Sequence, residues 1–203
     1  MIRATLPALG LLLLSACTTN PLPLVPTESS RVHEQLPLLH PLASPLGDPQ
    51  PDGPTLTLRP VQLPHYLKRM EMVERTPDGA IKLYPIPTWS EPLDKGVSRV
   101  LMLNLAYLLK SSRVVLDDRY RRVKQSCILT TELFQLDADR ERLRLEGRWQ
   151  VTQRKVEGVR QSGWFTHTEP LGSGPRSSVV AQAMSRALLA MAKAQQASLK
   201  GCP

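Results

Sequence analysis

One stretch of the chain keeps helical periodicity from Ser90 to Leu109, and it restricts the fold more than any other feature. Its apolar residues recur at steps of three and four, so they form one stripe on a helix. The stripe consists of Leu93, Val97, Val100, Leu101, Leu105 and Leu108. Ser90 is the predicted N-cap, and Pro92 suits the first turn. Because charged residues interrupt the segment, it predicts a helix that covers a sheet and not a membrane span.

Residues 1–17 have the pattern of a lipoprotein signal. Arg3 precedes a short apolar run at residues 6–14, and the run ends in a lipobox. The lipobox consists of Leu14, Ser15, Ala16 and Cys17. Small residues before the cleavage site predict removal of residues 1–16 and attachment of lipid to the Cys17 thiol. The mature protein is therefore expected to stay on a membrane.

The net charge of the chain restricts its partners. Lysine and arginine exceed aspartate and glutamate by 26 to 18, which gives a formal charge of +8. This excess suits anionic phospholipid, an acidic protein or nucleic acid. Because the signal directs the chain out of the cytoplasm, nucleic acid is excluded as a partner.

Three regions follow from composition. Residues 1–16 are the signal, and residues 17–54 are a lipidated, proline-rich tether that favours extended conformations. A short first strand within residues 31–42 is as plausible as no strand there. The globular domain is predicted at residues 55–203.

The globular region predicts an α/β fold, with a mixed β-sheet flanked by two main helices. Residues 70–75 and 80–84 are expected to form a hairpin that ends at Pro85 and Pro87. Three strands follow at residues 127–136, 142–152 and 159–168, the first apolar on both faces and the second alternating. The chain closes with an alanine-rich helix at residues 177–198.

Two segments carry a resemblance to a known family. They are V-Q-L-P-H-Y-L-K-R at Val61–Arg69 and W-S-E-P-L-D-K-G-V-S-R-V-L-M-L-N-L at Trp89–Leu105. Found together in this order, they resemble the paired signature of the auxiliary lipoproteins of ABC-type intermembrane transport systems. The resemblance covers about Leu56 to the C-terminus.

The resemblance implies a non-enzymatic subunit with a fold similar to the N-terminal domain of TolB. Its expected partner is a periplasmic MCE-domain protein, whose inner-membrane permease and ATPase move phospholipid or a related amphiphile. Thr18 stands after the lipidated cysteine in place of the aspartate associated with inner-membrane retention, which implies the periplasmic face of the outer membrane. A ring-forming homo-oligomer is a further expectation.

Several residues are candidates for binding a partner. The loop at Leu63–Leu67 either presents Tyr66 and Leu67 to a partner or folds over the predicted helix as part of the core. Trp89 is either a hydrophobic staple at the helix start or an exposed contact. The full set of candidates is Leu63, Pro64, Tyr66, Leu67, Arg69 and Trp89. Arginines at residues 119–122 and 142–148 either meet anionic groups or form a solvated face.

Cys127 and Cys202 remain once Cys17 is acylated. An even pair in an oxidising compartment can form a disulfide. The alternative is two unpaired thiols, which the penultimate position of Cys202 favours.

No pattern of residues predicts catalysis, a metal site or a cofactor. The four histidines, His33, His40, His65 and His167, lack metal-ligand spacing, and no serine stands in a nucleophile elbow. Two rival hypotheses remain beside the transport subunit. One is a lipoprotein that regulates a periplasmic peptidoglycan synthase, and the other is a periplasmic hydrolase, which the absence of a nucleophile and base pattern disfavours.

Overall fold

The structure, a computed structural model, describes residues 36–43, 48–117, 127–153 and 156–202. These residues belong to one packed unit, Gln35–Pro203. The lipobox, Cys17, His33 and the arginines at residues 119–122 lie outside the described residues.

The described chain forms seven strands and two long helices. The strands are β1 (Leu56–Leu58), β2 (Glu71–Arg75), β3 (Ile81–Thr88), β4 (Val114–Leu116), β5 (Cys127–Ala138), β6 (Arg142–Gln153) and β7 (Val156–Pro170). The helices are α1 (Leu93–Leu108) and α2 (Arg176–Ser198), and one 3-10 turn occupies His65–Leu67. The predicted fold class, a mixed sheet with two main helices, is confirmed.

β5 is the strand on which the sheet is built. One of its edges pairs along its whole length with β6, which in turn pairs with β7, both antiparallel. Its other edge pairs in parallel with β1 near Cys127 and with β2 at Ala138. β4 lies parallel beside β1, and β3 lies antiparallel beside β2. One edge of this twelve-residue strand can pair with two short strands because β1 and β2 pair with its opposite ends.

Both helices contact each other and cover one face of the sheet. Along β6 the inward residues Leu143, Leu145 and Trp149 are buried, whereas Arg144, Glu146 and Arg148 on the opposite face are exposed. The Trp149 ring lies against β7 at Gly163, where a Cβ atom would approach the ring to 2.4 Å. Its indole N–H donates to the Ser198 hydroxyl of α2 at 3.2 Å. No helix of the described residues covers the opposite face of β6, most of whose side chains are exposed.

Two predictions about strands are wrong in detail. β5 was predicted to be apolar on both faces, as expected of a central strand, but Phe134 is exposed and Ile128 only half-buried, because the helices cover a single face. β3 was expected to end at Pro85, but it continues to Thr88. The sheet places β3 at an edge, where a residue without an N–H group is tolerated.

Buried residues also lie upstream of Thr55, the predicted start of the domain. Leu39 and Ala43 are buried in the packed unit, and Gln50 forms a bridge with Ser111. A proline-rich segment cannot fold alone, but it can pack on helices that supply partners for its backbone. The predicted tether therefore contains a segment that belongs to the domain.

Candidate functional site

The segment at residues 36–43, here named the strap, crosses both helices. Asn104 of α1 is fully buried, and its Oδ1 accepts hydrogen bonds from the backbone N–H groups of Leu42 and Ala43 at 2.9 and 3.1 Å. The Ser185 hydroxyl of α2 accepts the His40 N–H at 3.1 Å. A buried polar side chain destabilises the fold unless it is hydrogen-bonded. The hydrogen bonds to the strap backbone therefore account for the burial of the Asn104 and Ser185 side chains.

The strap is also bound at its start. The Ser90 hydroxyl donates to the carbonyls of Leu36 and Pro37, and the Arg99 guanidinium donates to the carbonyl of Leu39 at 3.0 Å. Ser90 is therefore not the N-cap that the sequence predicted. Helix α1 begins at Leu93. Pro92 occupies its N-cap position and provides no side-chain hydrogen bond to the helix.

We expect Asn104→Ala to lower the free energy of unfolding by about 2 kcal/mol, because two backbone N–H groups lose their buried acceptor. Hydrogen exchange at Leu42 and Ala43 should accelerate more than exchange in the sheet. Gln182→Ala, which removes an exposed amide from α2, is the control and should leave both measurements unchanged. Equal exchange rates at Leu42 and Ala43 in the two variants would contradict the role of Asn104.

The predicted partner-binding residues are mostly turned inward. Leu63, Leu67 and Trp89 are buried in the core, Pro64 is half-buried, and only Arg69 is exposed, with Glu71 as its ion-pair partner at 3.9 Å. The loop at Leu63–Leu67 thus folds over the domain, as the second of the two interpretations proposed. Trp89 likewise lies in the core before α1 and is not an exposed contact.

Tyr66 belongs to a partly buried hydrogen-bonded cluster around the buried carboxylate of Asp137. Its hydroxyl donates to Asp137 Oδ2 at 2.5 Å, and the Arg75 guanidinium donates to both oxygens of the same carboxylate at 3.0 and 2.7 Å. Gln135 adds a fourth hydrogen bond at 2.9 Å. The cluster therefore joins the loop, β2 and β5 around one carboxylate.

The environment of this cluster shifts the pKa values of Asp137 and Tyr66. Burial alone would raise the pKa of the Asp137 carboxyl, but hydrogen bonds from Arg75, Tyr66 and Gln135 lower it below its ordinary value. Burial, and then the hydrogen bond to Asp137, raise the pKa of the Tyr66 hydroxyl. Both groups consequently keep one protonation state across neutral pH, which suits a structural role and not proton transfer.

Two carboxylates connect the sheet to α2. Glu74 accepts a hydrogen bond from Tyr84 and forms an ion pair with Arg176 at 3.0 Å. Glu169 lies 2.8 Å from His167 Nε2 and 3.0 Å from Arg186. Burial opposes ionisation of Glu169, but its hydrogen bonds from His167 and Arg186 lower the pKa of the carboxyl. These pairs hold the helix on the sheet at its start and middle.

The open face of the sheet carries an exposed aromatic group. Trp164 of β7 is 68% exposed, and its ring centroid lies 5.5 Å from that of Phe134 on β5. Arg148 of β6 lies between these strands, with its guanidinium 5.7 Å from the Phe134 ring and 2.7 Å from the Glu132 carboxylate. The three residues Phe134, Arg148 and Trp164 are named the aromatic patch. The sequence analysis selected Arg148 as outward-facing but did not select the two aromatic residues.

Cys127 and Cys202 are joined by a disulfide that links the start of β5 to the end of the chain. The alternative that the position of Cys202 favoured, two unpaired thiols, is not the state in the structure. The penultimate position allows the bridge because the chain after α2 turns back at Leu199, which is buried beside the sheet.

The described residues contain no group of three or more histidine, cysteine, aspartate or glutamate side chains arranged to hold a metal ion. Within the same residues, no helix has the length and apolar character needed to cross a membrane. What the described part of the chain offers is a strap at one side and an open sheet face at the other. It is therefore a mixed α/β domain whose distinctive features are surfaces.

Comparison with known families assigns this domain. The chain belongs to the family of ABC-type transport auxiliary lipoprotein components, whose model matches residues 38–194. The family resemblance found in the sequence is thereby confirmed, and the match begins within the strap. The chain is accordingly an auxiliary component of an ABC-type transport system.

Solved structures share the fold. A protein described as uncharacterized matches with a TM-score of 0.63 and 16% identity, covering 82% of this chain and 96% of its own. A Xanthomonas campestris protein of the DUF330 family matches with a TM-score of 0.60 and 16% identity, covering 79% and 91%. PelC from Paraburkholderia phytofirmans, a dodecamer, reaches a TM-score of 0.40 at 13% identity, covering 70% and 90%. No curated protein matches the chain.

Proposed function

We propose that this chain is a non-enzymatic lipoprotein subunit of an MCE- and ABC-type intermembrane lipid transport system. Lipid on Cys17 would hold it on the periplasmic face of the outer membrane, and its domain would dock on the periplasmic MCE-domain protein. The proposal extends the family assignment, which covers most of the domain. Its role is positional, because the subunit fixes one end of a conduit to one membrane.

The strap is the observation that carries this proposal. It holds residues 36–43, which follow the proposed lipidation site in the sequence, on both helices through the buried side chains of Asn104 and Ser185. Residues 36–43 of this connection are therefore packed on the domain and are not free chain. That arrangement suits a protein whose task is to hold a partner at a membrane.

Anchoring is tested by Cys17→Ala. We expect the variant to leave the membrane fraction and the native protein to show acyl chains on Cys17 by mass spectrometry, because lipid is the proposed membrane attachment. Lys193→Ala, an exposed change on α2, is the control and should stay with the membrane. An unmodified first residue in the native protein would refute the anchor.

The partner is tested by crosslinking in intact cells followed by purification of the complex. Recovery of an MCE-domain protein with its permease and ATPase is the expected result. Recovery of a penicillin-binding protein instead would favour regulation of a peptidoglycan synthase. A symmetric homo-oligomer is part of the proposal, since a conduit with a symmetric end needs a symmetric receiver, and native mass spectrometry measures it.

A further inference from the structure

Within the part of the chain that the structure describes, no strand pairs with the outer edge of β7. β7 is 15 residues long and, among the described strands, pairs only with β6. The other edge strands are β4, which has three residues, and β3, which contains Pro85 and Pro87. Proline and lysine normally protect such edges, but β7 has no lysine and its proline is its last residue, Pro170. The register shifts of β7 lie before Gln161, so its second half is regular.

The aromatic patch lies beside this regular half. Trp164 is exposed, whereas the other two tryptophans of the chain, Trp89 and Trp149, are buried. Exposed tryptophan and arginine with a rim of small polar side chains is the composition of binding hot spots. Here the rim is supplied on β7 by Ser162 and Thr166, which flank Trp164 on the same face.

The charges of this face indicate the chemistry of the partner. Its outward residues on β5 and β6 include the three arginines and two glutamates Arg142, Arg144, Arg148, Glu132 and Glu146. A layer of phosphate headgroups would meet the glutamates as well as the arginines. The three arginines already have carboxylates nearby, from Glu141 at 3.4 Å, Asp139 at 3.7 Å and Glu132 at 2.7 Å, but these ion pairs lie at the surface and are weak. An extended segment can bring a further carboxylate to the arginines, and the excess of lysine and arginine over aspartate and glutamate, 26 to 18, favours an acidic segment over a second copy.

We propose that an extended, acidic segment of the MCE-domain protein adds to the free edge of β7. Backbone hydrogen bonds to β7 supply the pairing, an apolar side chain of the segment packs on Trp164 and Phe134, and a carboxylate approaches Arg148. This inference rests on the proposed function, which supplies the partner.

The first test measures binding of the full mature lipoprotein in detergent to the purified MCE-domain protein. Trp164→Ala should weaken the affinity about tenfold or more, because it removes the centre of the patch. Leu83→Ala is the matched control, since Leu83 is also an exposed apolar residue but lies on β3. Its affinity should stay within about twofold of the native value. Arg148→Glu should weaken binding more than Arg148→Gln, and the native affinity should fall as salt is added.

The second test places proline in β7. At two consecutive residues of a strand, one N–H points to the neighbouring strand and the other to the free edge. Of Gln161→Pro and Ser162→Pro, one should therefore unfold at lower temperature, and the other should keep its stability. The stable variant should lose binding to the MCE-domain protein.

The outcomes separate this inference from the proposed function. If the native protein binds the MCE-domain protein and the Trp164→Ala and stable proline variants bind equally well, strand addition is wrong and the proposed function stands. If the native protein does not bind, both fail. A blue shift of Trp164 emission with rising protein concentration, or with phosphatidylglycerol vesicles alone, would assign the patch to a second copy or to lipid and overturn the inference.

Discussion

Replacing both Cys127 and Cys202 by alanine is expected to lower the free energy of unfolding by about 4 kcal/mol, because the unfolded chain gains conformational freedom. The bridge closes a sequence separation of 75 residues, and long closed loops restrict the unfolded chain most. It also holds the end of the chain after α2 against the start of β5. Chemical denaturation of the oxidised native protein and of the double variant measures the difference.

Reduction provides the control for this prediction. Dithiothreitol should lower the stability of the native protein toward that of the double variant and leave the variant unchanged. The reduced native protein lacks the crosslink but keeps both cysteine side chains. A difference in stability between it and the double variant therefore measures the effect of alanine on packing at the buried Cys127 site, apart from the effect of the crosslink. Two titratable thiols in unreduced, denatured protein would contradict the bridge.

The second large effect is expected at Asp137. Asp137→Ala should cost about 3 kcal/mol of unfolding free energy, because Arg75, Tyr66 and Gln135 all lose their shared acceptor. The carboxylate is buried, so little solvent is present to replace it. Glu141→Gln, at a side chain that is 81% exposed, is the control and should change stability by less than about 0.5 kcal/mol.

The same carboxylate predicts a pH dependence. The pKa of Asp137 is lower in the folded protein than in the unfolded chain, so its contribution is complete above the unfolded value of about 3.9. The contribution is lost as the pH falls from there through the lower folded pKa. The difference in unfolding free energy between native protein and Asp137→Asn should therefore be larger at neutral pH than in acid. A difference that is constant with pH would contradict this account.

The elements with strong periodicity were predictable from sequence. The stripe from Leu93 to Leu108 and the alternation along β6 predicted α1 and an open sheet face, and both are present. Such patterns depend on residues close in sequence, whose positions follow from helix or strand geometry alone. The family motifs were also informative, and several of their apolar side chains, among them Leu63, Leu67 and Trp89, are buried in the core.

The strap and the Asp137 cluster were not predictable, because they depend on distant residues. Asn104 binds backbone more than sixty positions away, and Tyr66 and Asp137 are similarly separated. One signal was present, since Asn104 and Ser98 interrupt the apolar stripe of α1 and are buried. A polar residue on the buried side of a helix indicates a backbone partner. The exposure of Phe134 was missed because an apolar residue in a strand gives no sign of which face is covered.

The strap also determines how the domain responds to mechanical load. Tension applied upstream of Leu36 reaches the hydrogen bonds at Ser90, Arg99, Ser185 and Asn104 before it reaches any strand. These hydrogen bonds join the strap to both helices, so the two helices share the force. The sheet, with its aromatic patch, is loaded only after these hydrogen bonds break. Pulling on the chain upstream of the domain would then peel residues 36–43 away first, lengthening the connection while the sheet keeps its shape.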